Sequence, residues 1–229
     1  MSKLIYAADD ELNIRQLIQS FLEEEGYEVE TFETGDALLE KFKQKPSDLV
    51  ILDVMMPGTD GLSICNTIRK FSSVPILILT ARDTTEDYVT GITLGCDDYF
   101  TKPFSPVMLT MRVKAMFRRV ELDKAIPYDE KLEYGDIEIM PKQKVAKCKG
   151  ADLKLTITEL NVLQYLMEKN GNAVSRDELL EKIWGYTSEV ETRVTDDNIK
   201  RIRKKMNQQG SNVEIVTVWG YGFKLAIKE

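Results

Sequence analysis

Two rhythms of apolar and polar positions divide the chain of 229 residues. In the first half, short and continuously apolar runs alternate with amphipathic stretches. The order is LIYAA then Leu12–Glu25, YEVETF then Asp36–Gln44, LVILD then Leu62–Phe71, PILILT then Thr84–Leu94, and DDYF then Pro106–Arg119. Apolar strands between helices belong to a parallel sheet covered on both faces. The pattern therefore predicts a five-fold βα repeat, a doubly wound α/β domain with a five-stranded parallel sheet, over residues 1–120.

The rhythm breaks at VELDKAIPYDEK, which is charged, contains Pro127 and lacks periodicity, so residues 121–131 are expected to be a linker. Beyond it, residues 132–229 read as a second, α+β domain. YGDIEI, KVAKCKG and DLKLT alternate like short antiparallel strands. Thr156 with Glu159, and Ser175 with Glu178, each fit a capping box ahead of an apolar run, and Gly171 fits the end of the first helix. A third helix is expected over about Thr192–Asn207. At 100° per residue it turns Thr195, Ile199, Ile202 and Met206 inward, with Arg193, Asp197, Lys200 and Lys204 outward and Arg201 at the flank. The closing VEIVTVWGYGFKLAI reads as a hairpin turning through Gly220-Tyr221-Gly222.

Composition changes this picture in three respects. The net charge is -7, yet residues 1–122 hold 13 Lys+Arg against 20 Asp+Glu and the remainder is balanced, 18 against 18. Inside the balanced half, Lys200, Arg201, Arg203, Lys204 and Lys205 form a basic cluster of the kind a nucleic-acid contact requires, whatever the overall pI. Histidine is absent, which excludes histidine acid–base chemistry and any phosphohistidine on this chain. Finally, Cys65, Cys96 and Cys148 are widely spaced without a CxxC, so buried reduced thiols are expected rather than disulfides or a zinc site. With no apolar run of spanning length and no signal-peptide pattern at MSKLIYAADDE, the expected location is cytoplasmic, with no membrane partner.

Doubly wound sheets hold their ligands beyond the carboxyl ends of the strands. Asp9 and Asp10 follow the first strand, Asp53 the third, Thr80 the fourth and Lys102 the fifth. Crowded carboxylates repel one another, and the YAADDE stretch needs a cation to make that crowd tolerable. An all-oxygen donor set suits a hard ion such as magnesium, with Lys102 as a second positive charge. A carboxylate in that setting can attack a phosphoryl group.

Through DDE, LDVMMPGTDG, LTA and DDYFTKPF, in that order, residues 1–120 resemble the receiver domain of bacterial two-component response regulators. The resemblance implies that Asp53 is the phosphoacceptor and that Asp9, Asp10, Asp53 and the carbonyl of Met55 hold magnesium. It further implies that the Thr80 hydroxyl swings onto the phosphoryl group, that Tyr99 is the aromatic switch following it, and that Lys102 pairs with the phosphoryl oxygens. Lys102-Pro103 is a candidate cis peptide. A flavodoxin-like nucleotide binder shares the strand pattern, but its phosphate loop would be repelled by Asp9, Asp10 and Glu11. A haloacid-dehalogenase-like phosphatase would want a second Asp where this chain has Met55.

Residues 132–227 resemble the winged-helix effector domain of OmpR/PhoB-type regulators at LTITE, SRDELLEKIWG and TVWGYGF. That implies a recognition helix in the major groove of double-stranded DNA and a wing, with Arg193, Asp197, Asn198, Lys200, Arg201, Arg203, Lys204, Thr217 and Trp219 as contact candidates. It also implies a partner histidine kinase, a homodimer when phosphorylated, RNA polymerase as a further partner, and no enzymatic activity beyond self-catalysed phosphotransfer and autodephosphorylation. The dimer face is expected at Tyr88, Val89, Ile92, Asp97, Asp98, Met108, Arg112, Lys114 and Arg119. Tyr88 and Met108 stand where relatives carry one ion pair. Two rival readings share the residues: a constitutive DNA binder whose receiver only makes protein contacts, and an output domain that binds a protein instead of DNA.

Overall fold

The computed structural model describes residues 2–81, 96–125, 131–185 and 193–228. The chain forms two compact units, Met1–Lys114 and Ala115–Glu229. In the first, β1 (Leu4–Ala8), β2 (Glu28–Phe32), β3 (Leu49–Asp53), β4 (Ile76–Ala81) and β5 (Asp98–Lys102) make one sheet in the order β2-β1-β3-β4-β5. Every pairing is parallel. Helices α1 (Leu12–Glu24), α2 (Gly35–Gln44), α3 (Gly61–Arg69) and α4 (Pro106–Ala125) accompany it. All five residues of β1 and of β3 are buried, which is why those runs carry no polar alternation before their terminal acids. The helix expected at Thr84–Leu94 lies outside the described residues.

Order in this sheet places chemistry. Because β1 and β3 are neighbours, with Ala8 opposite Leu52, Asp9 and Asp53 end side by side although 44 positions separate them. Asp53 stands opposite Leu79, and Ala81 opposite Lys102, so Thr80 and Lys102 reach the same edge.

The helix α4 runs through Ala125, so residues 121–125 of the expected linker are helical and residues 126–131, of which 126–130 lie outside the described set, separate it from the next strand. Lacking a proline or glycine before Pro127, this segment has nothing to stop a helix already started.

In the second unit a four-stranded antiparallel sheet, β6 (Leu132–Tyr134), β7 (Ile137–Met140), β8 (Val145–Cys148) and β9 (Ala151–Asp152), precedes the helices. YGDIEI is thus not one strand. Gly135, at φ 57°, turns the chain between β6 and β7. DLKLT is likewise strand only through Asp152, since Leu153–Leu155 lead directly into the Thr156 cap. Helix α5 (Ile157–Glu168) carries the complete capping box of Thr156 and Glu159. Ser175 caps Glu178 N of α6 (Arg176–Leu179), which continues as a single wider turn over Leu180–Trp184 and ends at left-handed Gly185. Helix α7 (Arg193–Gln208) follows, then β11 (Val213–Val218) and β12 (Gly222–Ile227). These two pair with β10 (Val174–Ser175) in the order β10-β12-β11. Thr195, Ile199, Ile202 and Met206 are all buried, as the wheel predicts.

Candidate functional site

The carboxyl edge of the parallel sheet gathers the expected residues. Asp9, Asp10 and Asp53 each offer a carboxylate oxygen within 4.8 Å of the others; Asp9 and Asp53 are buried and Asp10 is exposed. Lys102 Nζ bridges them, 2.8 Å from Asp9 Oδ2 and 3.0 Å from Asp53 Oδ1, with Glu11 Oε1 at 3.7 Å. The peptide Lys102-Pro103 is cis, as the sequence suggested. Thr80 and Tyr99 are buried on β4 and β5, with Ile78 opposite Tyr99 and Thr80 opposite Thr101. Met55 stands in the turn after β3 with its side chain exposed, so a contribution from this residue falls to its carbonyl.

Charge in the pocket is finely opposed. Burial, the strongest influence, pushes the Asp53 carboxyl up to about 6 from 3.8; Lys102 pulls it down, while Asp9 and Asp10 push it further up. Burial works against the Lys102 ammonium too, but its bonds to Asp9 and Asp53 outweigh that and hold it above the ordinary lysine value. One ammonium therefore faces three acids. The oxygen-only donor set, net negative even with Lys102 in place, fits a hard divalent cation such as magnesium held by Asp9, Asp10 and Asp53.

Three residues the motif reading passed over shape this edge. Gly61 opens α3 with its Cα against the Asp53 backbone, where a Cβ would collide with the Asp53 carbonyl oxygen. Asp60 caps the same helix by accepting from Ser63 N at 2.9 Å and Ser63 Oγ at 2.6 Å, fixing the far end of the loop that follows Asp53. Arg15 Nη1 donates to the carbonyls of Asp9 and Asp10 at 2.7 and 2.9 Å. The glycine was visible in LDVMMPGTDG; the partners of Asp60 and Arg15 needed coordinates.

Of the expected dimer-face residues that are described, Asp97, Asp98, Arg112 and Lys114 are engaged within the chain. Asp97 is buried, accepting from Arg69 Nη2 at 2.6 Å and from Ile76 N at 2.9 Å. Asp98 accepts from Arg112 Nη1 at 2.9 Å, and that guanidinium lies 4.6 Å from the Phe100 ring centroid. Lys114 meets Glu25 at 2.6 Å. Met108 is half-buried, and Val107 and Met111 of α4 are exposed. Tyr88, Val89, Ile92 and the Arg119 side chain lie outside the described residues.

On α7, Lys200 and Lys204 are exposed and Asp197 is half-buried, while the Arg193 side chain lies outside the described set. Three expected base or phosphate readers are turned elsewhere. Asn198 is buried, donating to Val194 O at 2.8 Å and accepting from Arg201 Nη2 at 2.9 Å. Arg201 is buried against Glu159, with Nε 3.1 Å from Oε1, and Lys205 Nζ joins at 2.6 Å from Oε2. Arg203 donates to Ile215 O and to Thr217 Oγ1, both at 2.8 Å, tying the helix to β11. The basic run thus splits into exposed Lys200 and Lys204, buried Arg201 and half-buried Arg203 and Lys205, a division that charge alone does not reveal. Arg176 grips Asp196 through two bonds of 3.0 Å and stacks 4.6 Å from the Phe223 centroid. At the tip of the β11–β12 hairpin Trp219 is 93% exposed.

All three cysteines are buried and outside any disulfide. Among the described residues no helix is long and apolar enough to cross a membrane.

Comparison with known proteins matches residues 5–114 to the response regulator receiver domain, and residues 150–225 to the family described as transcriptional regulatory protein, C terminal. The probable transcriptional regulator ycf27 of Cyanophora paradoxa is 40% identical over 228 residues, covering 96% of this chain and 95% of the relative. The alkaline phosphatase synthesis transcriptional regulatory protein PhoP of Bacillus subtilis is 40% identical over 235 residues, covering 98% and 97%. Among solved structures, response regulator DrrB of Thermotoga maritima, an OmpR/PhoB homolog, aligns over 100% of both chains at 32% identity and a TM-score of 0.52. A RitR mutant aligns with a TM-score of 0.80 at 24% identity over 99% and 100%, a likeness of fold.

Proposed function

The chain belongs to the two-component response regulators with an OmpR/PhoB-type DNA-binding effector domain, and from that premise we propose that phosphorylation of Asp53 governs its binding to promoter DNA. The observation that carries the proposal is the Asp9–Asp53–Lys102 arrangement, a buried carboxylate held beside an ammonium and two further acids. In the proposed step an Asp53 oxygen attacks the phosphorus of a phosphohistidine on a partner kinase. The P–N bond breaks as the acyl phosphate P–O bond forms, and the imidazole leaves with the bond electrons and takes up a proton. Lys102 balances charge on the transferring oxygens. Magnesium, held by Asp9, Asp10, Asp53 and the Met55 carbonyl, would neutralise that charge further.

The Thr80 hydroxyl then binds the phosphoryl group and Tyr99 follows it inward. They sit on neighbouring strands, Thr80 opposite Thr101 near the carboxyl edge and Tyr99 deeper in the sheet, three residues before Lys102. The change favours a homodimer that sets two α7 helices in successive major grooves, roughly 10–10.5 bp apart. The chain serves as a phosphoacceptor, catalysing at most its own phosphotransfer and autodephosphorylation, and works in the cytoplasm beside RNA polymerase.

Incubation of the full chain with acetyl phosphate and magnesium, followed by intact mass and by capture of genomic DNA, tests this reading. One added phosphoryl group, absent in Asp53→Asn, together with stronger DNA capture after treatment, is the expected result. Labelling of Asp53→Asn defeats the acceptor assignment. Equal capture with and without labelling leaves a constitutive DNA binder, and no salt-sensitive capture leaves a protein-binding output domain.

A further inference from the structure

Asp9 and Asp10 are held by a residue that touches neither carboxylate. They lie in a three-residue passage from β1 to α1, and that helix starts without a side-chain cap, since Glu11 makes no capping hydrogen bond. Asp9 N donates to Phe32 O at 3.1 Å and Glu11 N donates to Asp9 Oδ1 at 3.0 Å. The two carbonyls of the acid pair face Arg15, one turn into the helix. A single nitrogen, Nη1, reaches both, at 2.7 Å to Asp9 O and 2.9 Å to Asp10 O. Fixing two successive carbonyls fixes the peptide planes on either side of Asp10, and with them the directions in which both carboxylates leave the backbone.

We infer that Arg15 is a positioning residue for the cation pocket: it holds the Asp9–Asp10 backbone so that both carboxylates converge with Asp53. The inference rests on the magnesium reading above. As a permanent cation near the acids, Arg15 should by charge alone weaken the binding of another cation, so removing it should tighten magnesium binding. As a clamp, its removal releases the loop that carries two of three ligands and should weaken binding. Groups that orient metal ligands from behind typically contribute 10- to 100-fold in metal affinity, and here the clamp prevails because its bonds are short and its charge is spread and partly solvated.

Magnesium chloride is titrated calorimetrically into the full chain, without phosphodonor, for the wild type, Arg15→Met and Arg15→Lys. Methionine keeps the apolar stem and drops both donors. Lysine restores a single nitrogen, which is all that the two carbonyls require. The expected result is binding about 10-fold weaker in Arg15→Met, largely recovered in Arg15→Lys. Unchanged or tighter binding in Arg15→Met overturns the inference while leaving the magnesium reading intact. Absence of any magnesium heat in the wild type overturns both. Should Arg15→Met fail to fold, Arg15→Gln takes its place, since a neutral, shorter side chain at this site must weaken binding under the clamp and tighten it under charge alone.

Discussion

Arg201 Nε lies 3.1 Å from Glu159 Oε1 with both side chains inside the effector-domain core. The second oxygen of Glu159 accepts from Thr156 N at 2.9 Å and meets Lys205 at 2.6 Å, so one carboxylate joins the start of α5 to two turns of α7. Removing one partner of a buried pair strands the other, at a cost of about 3–5 kcal/mol. Lys205 remains to share the Glu159 charge, so Arg201→Met is expected to lower effector stability by about 2–4 kcal/mol in urea unfolding. Glu159→Gln, which loses both ion pairs while its amide oxygen can still accept from Thr156 N, is expected to cost at least as much. A loss below about 0.5 kcal/mol for Arg201→Met, of the order of an exposed pair, would return Arg201 to the DNA-facing surface.

Asp53 makes the receiver domain sensitive to pH in a defined direction. Its carboxyl titrates near 6 in the fold against 3.8 as the ordinary value, so the folded state binds a proton that the unfolded state has already released. The resulting stability is complete below about 3.8 and is lost as pH rises through about 6. Asp53→Asn should flatten the metal-free stability profile across that window and leave the domain about 2–3 kcal/mol more stable at pH 7.5 than the wild type. Thermal unfolding in EDTA across pH 4 to 8 reads both effects; parallel profiles for the two proteins count against a strained carboxylate.

Magnesium should reverse that strain. A ligand that binds only the folded state adds about 1.4 kcal/mol at ten times its dissociation constant. The wild-type melting temperature is therefore expected to rise with magnesium and to fall back with EDTA. Asp10→Asn, at an exposed position, should fold normally and show a much smaller rise.

The two kinds of cation on α7 should separate in a salt titration of DNA binding. Lys204 is exposed, and Lys204→Ala is expected to weaken specific and non-specific DNA alike, lowering the salt slope by about 1. Arg203 is spent on Ile215 O and Thr217 Oγ1, so Arg203→Met should weaken binding with the slope unchanged, by loosening the hairpin against the helix. A reduced slope for Arg203→Met would mean that its guanidinium reaches phosphate. Asp197→Ala, on the half-buried flank, is expected to relax preference at one base pair by roughly 1–3 kcal/mol, read from a panel of single-base variants.

Fluorescence can follow the wing. The chain has two tryptophans, Trp184 fully buried and Trp219 93% exposed. Any change in emission on adding DNA is therefore expected to come from Trp219 and to vanish in Trp219→Phe. Persistence of the change in that variant would place its source at Trp184.

Much of this molecule was legible in order rather than in detail. Apolar runs ending in Asp9, Asp53, Thr80 and Lys102 sufficed to predict one shared edge, because strand order in a doubly wound sheet forces those ends together. The fate of individual polar residues was not legible. Asn198 and Arg201 lie at helix positions whose neighbours, Ile199 and Ile202, are core, and only Glu159, some forty positions earlier, explains an arginine there. Asp98 and Arg112 likewise read as surface charges until their mutual bond under Phe100 is seen. YGDIEI failed for a local reason, since a glycine at φ 57° turned an apparent strand into a hairpin.

Strand order also dates the moment at which the charge-balanced pocket comes into being. Asp9, Asp53 and Lys102 come from the first, third and last strands, so the carboxylate is synthesised well before the ammonium that balances it. A nascent or truncated chain ending before residue 98 carries Asp53 without its charge partner and without the closing strand beside Thr80. On the proposed function, such fragments hold Asp53 without the Lys102 ammonium that balances it, and are expected to take up no phosphoryl group from acetyl phosphate.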